Sequence, residues 1–205
     1  MEPPTSEGYL KEVQKRKDRQ SSLLDRYQSV MESLDQGVLE IGCGHGHWLT
    51  SYASQNSDQC CVGIDLMKHR VDKSVKKANK NELTNLHFIQ AEAIEFIELI
   101  PQGTSLAAVV VLFPDPWPKK RHFRRRLIQP DFLDLLASRM NVGGKLYFRT
   151  DHHGYFDWTT EHFTDHPLWT LDSELVWPME RSTYFQEIKG PYQSLSATCI
   201  QKSAK

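Results

Sequence analysis

The chain has 205 residues, 39% of them hydrophobic and 25% charged, which excludes an intrinsically disordered protein and fits about one globular domain. Its formal net charge of −1 gives the whole chain no general affinity for nucleic acid, and its longest apolar run, Leu106–Phe113, is too short for a membrane-spanning helix of about 20 residues. The polar N-terminus and four scattered cysteines favour a cytoplasmic protein that has neither a disulfide framework nor a metal site.

Apolar strands and amphipathic helices alternate along the sequence. A charged helical segment is predicted over 9–33. Strands are predicted at 37–41, 60–64, 86–90, 107–113, 145–150, 169–176 and 195–201. Helices are predicted at 47–54, 67–79, 93–99, 130–139 and 155–163. This alternation is typical of a doubly wound, Rossmann-like α/β fold, with a mostly parallel seven-stranded sheet and helices on both faces. We expect a flexible basic segment over residues 1–20 and one domain over residues 21–205.

A glycine-rich loop follows the first predicted strand. Its glycines, Gly42, Gly44 and Gly46, have the spacing G-x-G-x-G rather than the G-x-G-x-x-G of dinucleotide-binding folds. Glu40, at the end of the strand, would repel a pyrophosphate and attract an ammonium group. The loop therefore predicts a cofactor without phosphate at this position, which makes a nucleotide-dependent dehydrogenase the weakest alternative.

Two more acidic residues follow the second and third predicted strands. Asp65 is placed to accept hydrogen bonds from ribose hydroxyls, and Glu92 to bind an adenine amino group. Ligands of doubly wound folds bind beyond the carboxyl ends of the strands, so we expect both residues to lie near Glu40. An amino-acid-bearing nucleoside fits all three positions, and S-adenosylmethionine is the obvious candidate.

The fourth strand leads into a proline-rich loop. Pro114 and Pro116 flank Asp115 and restrict its backbone, and the adjacent Trp117 can stack on a base. The loop follows the strand end where the reactive end of the cofactor should lie, so Asp115 is a candidate catalytic residue. The alternative interpretation is a rigid turn that leads into a surface loop.

Basic residues are concentrated in Lys119–Arg126, which holds six Lys or Arg among eight residues and no acid. Such a density of like charge favours an anionic partner. The lysines at positions 73, 76, 77 and 80 have the spacing of the outer face of an amphipathic helix and are interpreted as solvated. Asp151 follows the fifth strand, where it could bind a ligand or merely cap the next helix.

Together these motifs resemble the bacterial tRNA (guanine-N7)-methyltransferase family of class I S-adenosylmethionine-dependent enzymes. The resemblance covers roughly residues 20–200 and rests on five stretches: 39–46, Asp65, 113–127, 150–155 and the region around Thr183. It implies that the protein methylates a guanine in the variable loop of tRNA. We also expect a monomer or homodimer with no obligate protein partner and no membrane.

The resemblance further implies roles for individual residues. Cofactor contacts would come from the glycine loop and from four acids, of which the last is also catalytic: Glu40, Asp65, Glu92 and Asp115. The substrate guanosine would be held by Lys119, Asp151, Thr183, Tyr184, Phe185 and Gln186. Phosphates of tRNA would contact the basic stretch, namely Arg121, His122, Phe123, Arg124, Arg125 and Arg126.

One position departs from the family pattern. Gln186 stands where the family has a glutamate, and an amide makes weaker hydrogen bonds to the edge of guanine than a carboxylate does. Two alternatives therefore stay open. One is a non-catalytic RNA-binding protein on a methyltransferase scaffold. The other is a methyltransferase acting on a small molecule or a protein, which the basic stretch argues against.

Overall fold

The computed structural model describes residues 7–179 and 191–200. The helices are α1 (Glu7–Glu32), α2 (His47–Gln55), α3 (Lys68–Lys80), α4 (Ala93–Leu99), α5 (Pro130–Ala137) and α6 (His153–Thr164). The strands are β1 (Val38–Ile41), β2 (Cys61–Asp65), β3 (Leu86–Gln90), β4 (Leu106–Leu112), β5 (Met140–Thr150), β6 (Trp169–Leu171) and β7 (Gln193–Cys199). A short 3-10 helix, Lys120–Arg125, lies between β4 and α5.

The strands form one seven-stranded sheet in the order β3-β2-β1-β4-β5-β7-β6. The first five strands run parallel, and β7 is antiparallel to both of its neighbours. This confirms the predicted doubly wound, mostly parallel sheet. The strand order reverses between β1 and β4, and ligands of such folds bind at this point, beyond the carboxyl ends of the strands.

The core lies on both faces of the sheet. Successive side chains of a strand point to opposite faces, so Val109 and Val111 of β4 join one buried cluster and Val110 joins the other. Residues of α1, α4, α5 and α6 complete the first cluster, and residues of α2 and α3 complete the second. Burial on both faces explains why β4 is an unbroken apolar run.

Helix α1 crosses the predicted domain boundary at residue 20. It runs without a break from Glu7 to Glu32. Arg19 donates a hydrogen bond to Glu95 of α4 at 3.0 Å, and Gln20 donates to Glu98 at 2.9 Å. Residues 7–20 are therefore helical, and this part of the helix contacts α4 through Arg19 and Gln20, whereas residues 1–6 lie outside the described part of the chain.

The last strands also differ from their predicted bounds. Strand β5 begins at Met140 rather than at 145. Its pairing with β4 changes register between Met140 and Lys145, and this irregularity accommodates the glycine pair at 143–144. Strand β6 ends at Leu171, well before the predicted 176. Over residues 7–179 and 191–200, we find no helix with the length and hydropathy needed to cross a bilayer.

Candidate functional site

A cleft of about 200 Å³ opens at the carboxyl ends of β1 and β4, where the strand order reverses. Glu40 and the glycine loop line one side, and Phe113 lines the other. Trp48 and Arg70 also line the cleft. Sequence reasoning missed both, because each lies within a helix that follows a strand and matches no motif.

The three glycines of the loop have different roles. All have positive φ angles, between 56° and 74°, which favour glycine. A Cβ atom on Gly42 or Gly44 would meet no atom within 4 Å, so their backbone is open to a ligand in the cleft. A Cβ on Gly46 would lie 2.4 Å from the Phe88 ring. Gly46 therefore packs closely against Phe88, and its contact with a cofactor stays a prediction.

Glu40 is a buried carboxylate at the end of β1, and only 3% of the residue is exposed. Its Oε2 atom has no hydrogen-bond partner in the described part of the chain. Burial raises the pKa of this carboxyl to about 8, while a hydrogen bond from the Leu49 backbone acts in the opposite direction. A cationic ligand in the cleft would supply the missing partner.

Asp65 holds the glycine loop from behind. Its carboxylate accepts hydrogen bonds from the backbone N–H groups of Gly44 at 3.0 Å and Met67 at 2.8 Å. The Arg70 guanidinium lies 3.8 Å away. Asp65 is buried and thus fixes the loop conformation, and its contact with a ribose stays a prediction.

The spacing of Lys77 predicts a solvated position on α3. The structure instead places its side chain against the glycine loop. Its ammonium donates a hydrogen bond to the carbonyl of His45 at 2.7 Å and lies 2.9 Å from Nδ1 of His47. Both histidines line the cleft. Lys77 therefore ties α3 to the glycine loop, a contact between segments that helical periodicity does not reveal.

Glu92 caps α4. Its Oε2 accepts a hydrogen bond from the backbone N–H of Glu95 at 2.8 Å, which satisfies one of the unpaired donors of the first helical turn. The side chain is half-buried beyond the end of β3. An adenine contact of Glu92 stays a prediction beside this structural role.

Backbone strain marks the loop that carries Asp115. Phe113 and Trp117 have φ angles of 50° and 44°, a left-handed conformation that costs about 1–3 kcal/mol in a residue with a side chain. The backbone N–H of Phe113 donates to the carbonyl of Arg149 at 2.8 Å, which holds the start of the loop against β5. Asp115 is exposed two residues beyond the cleft-lining Phe113.

The basic stretch after this loop forms the 3-10 helix and is mostly exposed. We call its exposed part the basic rim: Lys119, Lys120, Arg121, Arg124 and Arg125. His122 and Phe123 are half-buried, and the ring of His122 meets Trp117 edge to face at 5.9 Å. The guanidinium of Arg125 lies 4.8 Å from the Trp117 ring centroid.

Arg126 does not belong to this exposed surface. Only 2% of the residue is exposed, and its Nε donates a hydrogen bond to the carbonyl of Pro116 at 2.9 Å. Its guanidinium lies among aromatic rings, with its carbon 3.8 Å from the Phe123 ring centroid. The predicted contact of Arg126 with tRNA is therefore corrected, because a buried guanidinium cannot reach a phosphate.

Asp151 is half-buried beyond the end of β5. It does not cap α6, because that position belongs to His152, whose Nδ1 accepts a hydrogen bond from the backbone N–H of Tyr155 at 3.1 Å. Asp151 thus remains a candidate ligand-binding residue. The other predicted substrate residues lie outside the described part of the chain: Thr183, Tyr184, Phe185 and Gln186.

Comparisons with known proteins show the family to which the chain is similar. A family model described as "Putative methyltransferase" matches residues 35–189. A tRNA (guanine-N(7)-)-methyltransferase of Magnetococcus marinus is 35% identical over 138 residues, covering 67% of this chain and 54% of that protein. A protein of the same name from Nitrosomonas europaea is 34% identical over 179 residues, covering 82% of this chain and 75% of that protein. The chain spans about half to two thirds of the length of several relatives that it matches.

A solved structure supports the fold. An rRNA methylase from Streptococcus thermophilus superposes with a TM-score of 0.55 at 14% sequence identity, covering 85% of this chain and 94% of that one. At this identity the similarity concerns the fold alone. It confirms the architecture of a class I methyltransferase for the described residues.

Proposed function

This chain belongs to the tRNA (guanine-N(7)-)-methyltransferase family, and we propose that it transfers a methyl group from S-adenosylmethionine to N7 of a guanine in tRNA. One observation carries the proposal. The unpaired, buried oxygen of Glu40 and the strained Phe113 line the same cleft, and Asp115 lies two residues beyond Phe113. A site for an ammonium-bearing cofactor thus lies next to the loop that carries an exposed aspartate.

The residues present fit S-adenosylmethionine. The ammonium group of its methionine part would satisfy Glu40 Oε2, and the open backbone at Gly42 and Gly44 would allow close approach. Asp65 and Glu92 would bind the ribose and the adenine. When bound, the cofactor supplies a methyl group activated by a sulfonium.

The chemistry demands positioning rather than proton removal. Guanine N7 carries an in-plane lone pair and no proton, so it attacks a sulfonium methyl group without a prior base. Asp115 would orient the guanine and stabilise the positive charge that develops on its imidazole ring. Lys119, Asp151 and residues 183–186 would hold the rest of the nucleotide. The base must leave its stack to enter, which costs a few kcal/mol that contacts in the pocket offset.

The basic rim would bind the phosphate backbone of tRNA. Its five cationic side chains are exposed and directly follow the Asp115 loop. Phosphate contacts of this kind release counterions, so the affinity should fall steeply with salt concentration. The rim thus supplies the affinity, while the cleft supplies the chemistry.

The direct test is methyl transfer from labelled S-adenosylmethionine to unmodified bulk tRNA, followed by nucleoside analysis. We expect 7-methylguanosine. Asp115→Asn should abolish transfer with little loss of tRNA affinity, whereas Asp58→Asn, an exposed control before β2 at the opposite edge of the sheet, should behave as wild type. Full turnover in Asp115→Asn would refute the role of Asp115. Binding of cofactor and tRNA without 7-methylguanosine would instead indicate a non-catalytic RNA-binding protein.

A further inference from the structure

Arg126 is a buried cation enclosed by aromatic rings. Its guanidinium carbon lies 3.8 Å from the ring centroid of Phe123, 4.9 Å from that of Tyr155 and 5.2 Å from that of Trp158. Such contacts attract a desolvated guanidinium by about 2 kcal/mol, but its N–H groups must also find acceptors when they leave water. The position of these acceptors indicates what Arg126 does.

The acceptors are main-chain carbonyls on two different segments, the loop after β4 and the first turn of α6. Nε donates to Pro116 at 2.9 Å, and Nη1 donates to Gly154 at 3.0 Å. Pro116 directly follows Asp115, and Gly154 lies three residues after Asp151. The planar guanidinium holds its donors in fixed directions, and this one group bridges the two segments.

The residues that follow Arg126 are hydrogen-bonded to side chains of α6. The hydroxyl of Tyr155 accepts hydrogen bonds from the backbone N–H groups of Leu127 at 3.0 Å and Ile128 at 3.3 Å. The indole of Trp158 donates to the carbonyl of Ile128 at 2.8 Å. The aromatic rings around Arg126 therefore belong to a rigid connection between α6 and the end of the basic stretch.

We propose that Arg126 is a positioning residue that holds the Asp115 loop at a set distance from the first turn of α6, which begins two residues after Asp151. The proposal rests on the proposed function, because these two aspartates are the residues assigned to the reacting guanine. A misplacement of about 1 Å between reacting groups costs about 10²-fold in rate. The role of Arg126 should therefore appear in kcat and not in the affinity for either substrate.

Three variants test this. Arg126→Ala removes both bonds, and Arg126→Lys keeps the charge on a flexible stem that cannot reproduce the planar geometry. The matched control is Arg139→Ala. Arg139 is half-buried and donates to the carbonyl of Ile100 and to Ser138 Oγ, both at 3.0 Å, just before β5 and away from the cleft.

We would measure kcat and KM for tRNA, the Kd for S-adenosylhomocysteine, and backbone hydrogen exchange over 117–122 and 151–155. Both Arg126 variants should lose about 10²-fold in kcat, with KM and Kd close to wild type. Hydrogen exchange should become faster over both 117–122 and 151–155. Dilute guanidinium chloride should restore part of the kcat of Arg126→Ala, relative to equal sodium chloride, because the ion can occupy the emptied aromatic cage. Arg139→Ala should show none of these effects.

Two results would overturn the proposal. One is a kcat of Arg126→Ala equal to that of wild type. The other is faster hydrogen exchange in only one of the ranges 117–122 and 151–155, together with a loss of kcat that guanidinium does not restore. If Arg126→Ala does not fold, Arg126→Lys decides the question by the same kcat and exchange measurements. A wild type without methyl transfer would refute the proposed function. The exchange comparison would still decide whether Arg126 couples the Asp115 loop to the start of α6.

Discussion

Replacing Glu40 with Gln should stabilise the free protein at neutral pH and at the same time weaken its affinity for the cofactor. Folding moves the Glu40 carboxylate from water into a buried position, where Oε2 has no partner in the described part of the chain. This raises its pKa from 4.5 to about 8. Gln has nearly the same shape and carries no charge, so it avoids the cost of burying an ionised group.

Proton linkage gives the sign and the size of the effect. The folded state binds the Glu40 proton more tightly than the unfolded chain does, so this group's contribution to stability is lost as the pH rises from 4.5 to about 8. At 1.36 kcal/mol per pKa unit, the loss is about 3 kcal/mol at pH 7, about 4 kcal/mol at pH 8 and at most about 5 kcal/mol above pH 8. The advantage of Glu40→Gln should be absent near pH 4.5, grow towards pH 8 and then level off.

Urea unfolding of the ligand-free protein across this pH range measures the difference directly. Glu161→Gln, at an exposed position on α6, is the matched control, and its difference from wild type should not change with pH. If the curves of wild type and Glu40→Gln ran parallel from pH 4.5 to pH 8, the cost assigned to the buried carboxylate would be refuted.

Calorimetry with S-adenosylhomocysteine tests the predicted loss of affinity for the cofactor. Its ammonium group pairs only with ionised Glu40, so binding expels a proton and the wild-type affinity should rise about tenfold per pH unit below pH 8. Glu40→Gln should bind much more weakly, without this rise. An affinity of the wild type that is independent of pH would contradict the pairing.

Three further predictions follow from the geometry. Changing the three arginines of the basic rim to Ala should lower the slope of log affinity for tRNA against log salt concentration by about 2–3, and an unchanged slope would reduce the rim to a solvated loop. Gly46→Ala should lower the melting temperature far more than Gly44→Ala, because only the Cβ at position 46 would overlap Phe88. Equal melting temperatures of the two variants would contradict the packing role of Gly46. Arg19→Ala should lower the melting temperature by leaving the buried Glu95 without its cation, and hydrogen exchange should locate the loosening in α1; unchanged α1 protection would contradict the docking.

The sequence alone determined the sheet, the helices and the position of the cleft. Local periodicity decides whether a stretch is a strand or a helix, and the apolar run at 106–113 must lie in the middle of a sheet because both of its faces are buried. Since ligands bind beyond the carboxyl ends of parallel strands, the residues that follow those strands were identifiable as candidates. Glu40, Gly42 and Gly44 do line one cleft.

Only the tertiary structure decided which charged side chains are exposed. Arg126 has the same local sequence environment as Arg124 and Arg125, yet it is buried because Tyr155 and Trp158, about 30 positions later, pack around it. Lys77, Gly46 and His152 likewise owe their roles to chain segments that meet only in the folded domain or to the detailed geometry of a helix end. Charge density and spacing are properties of neighbours in sequence, whereas burial depends on neighbours in space, and no local pattern contains that information.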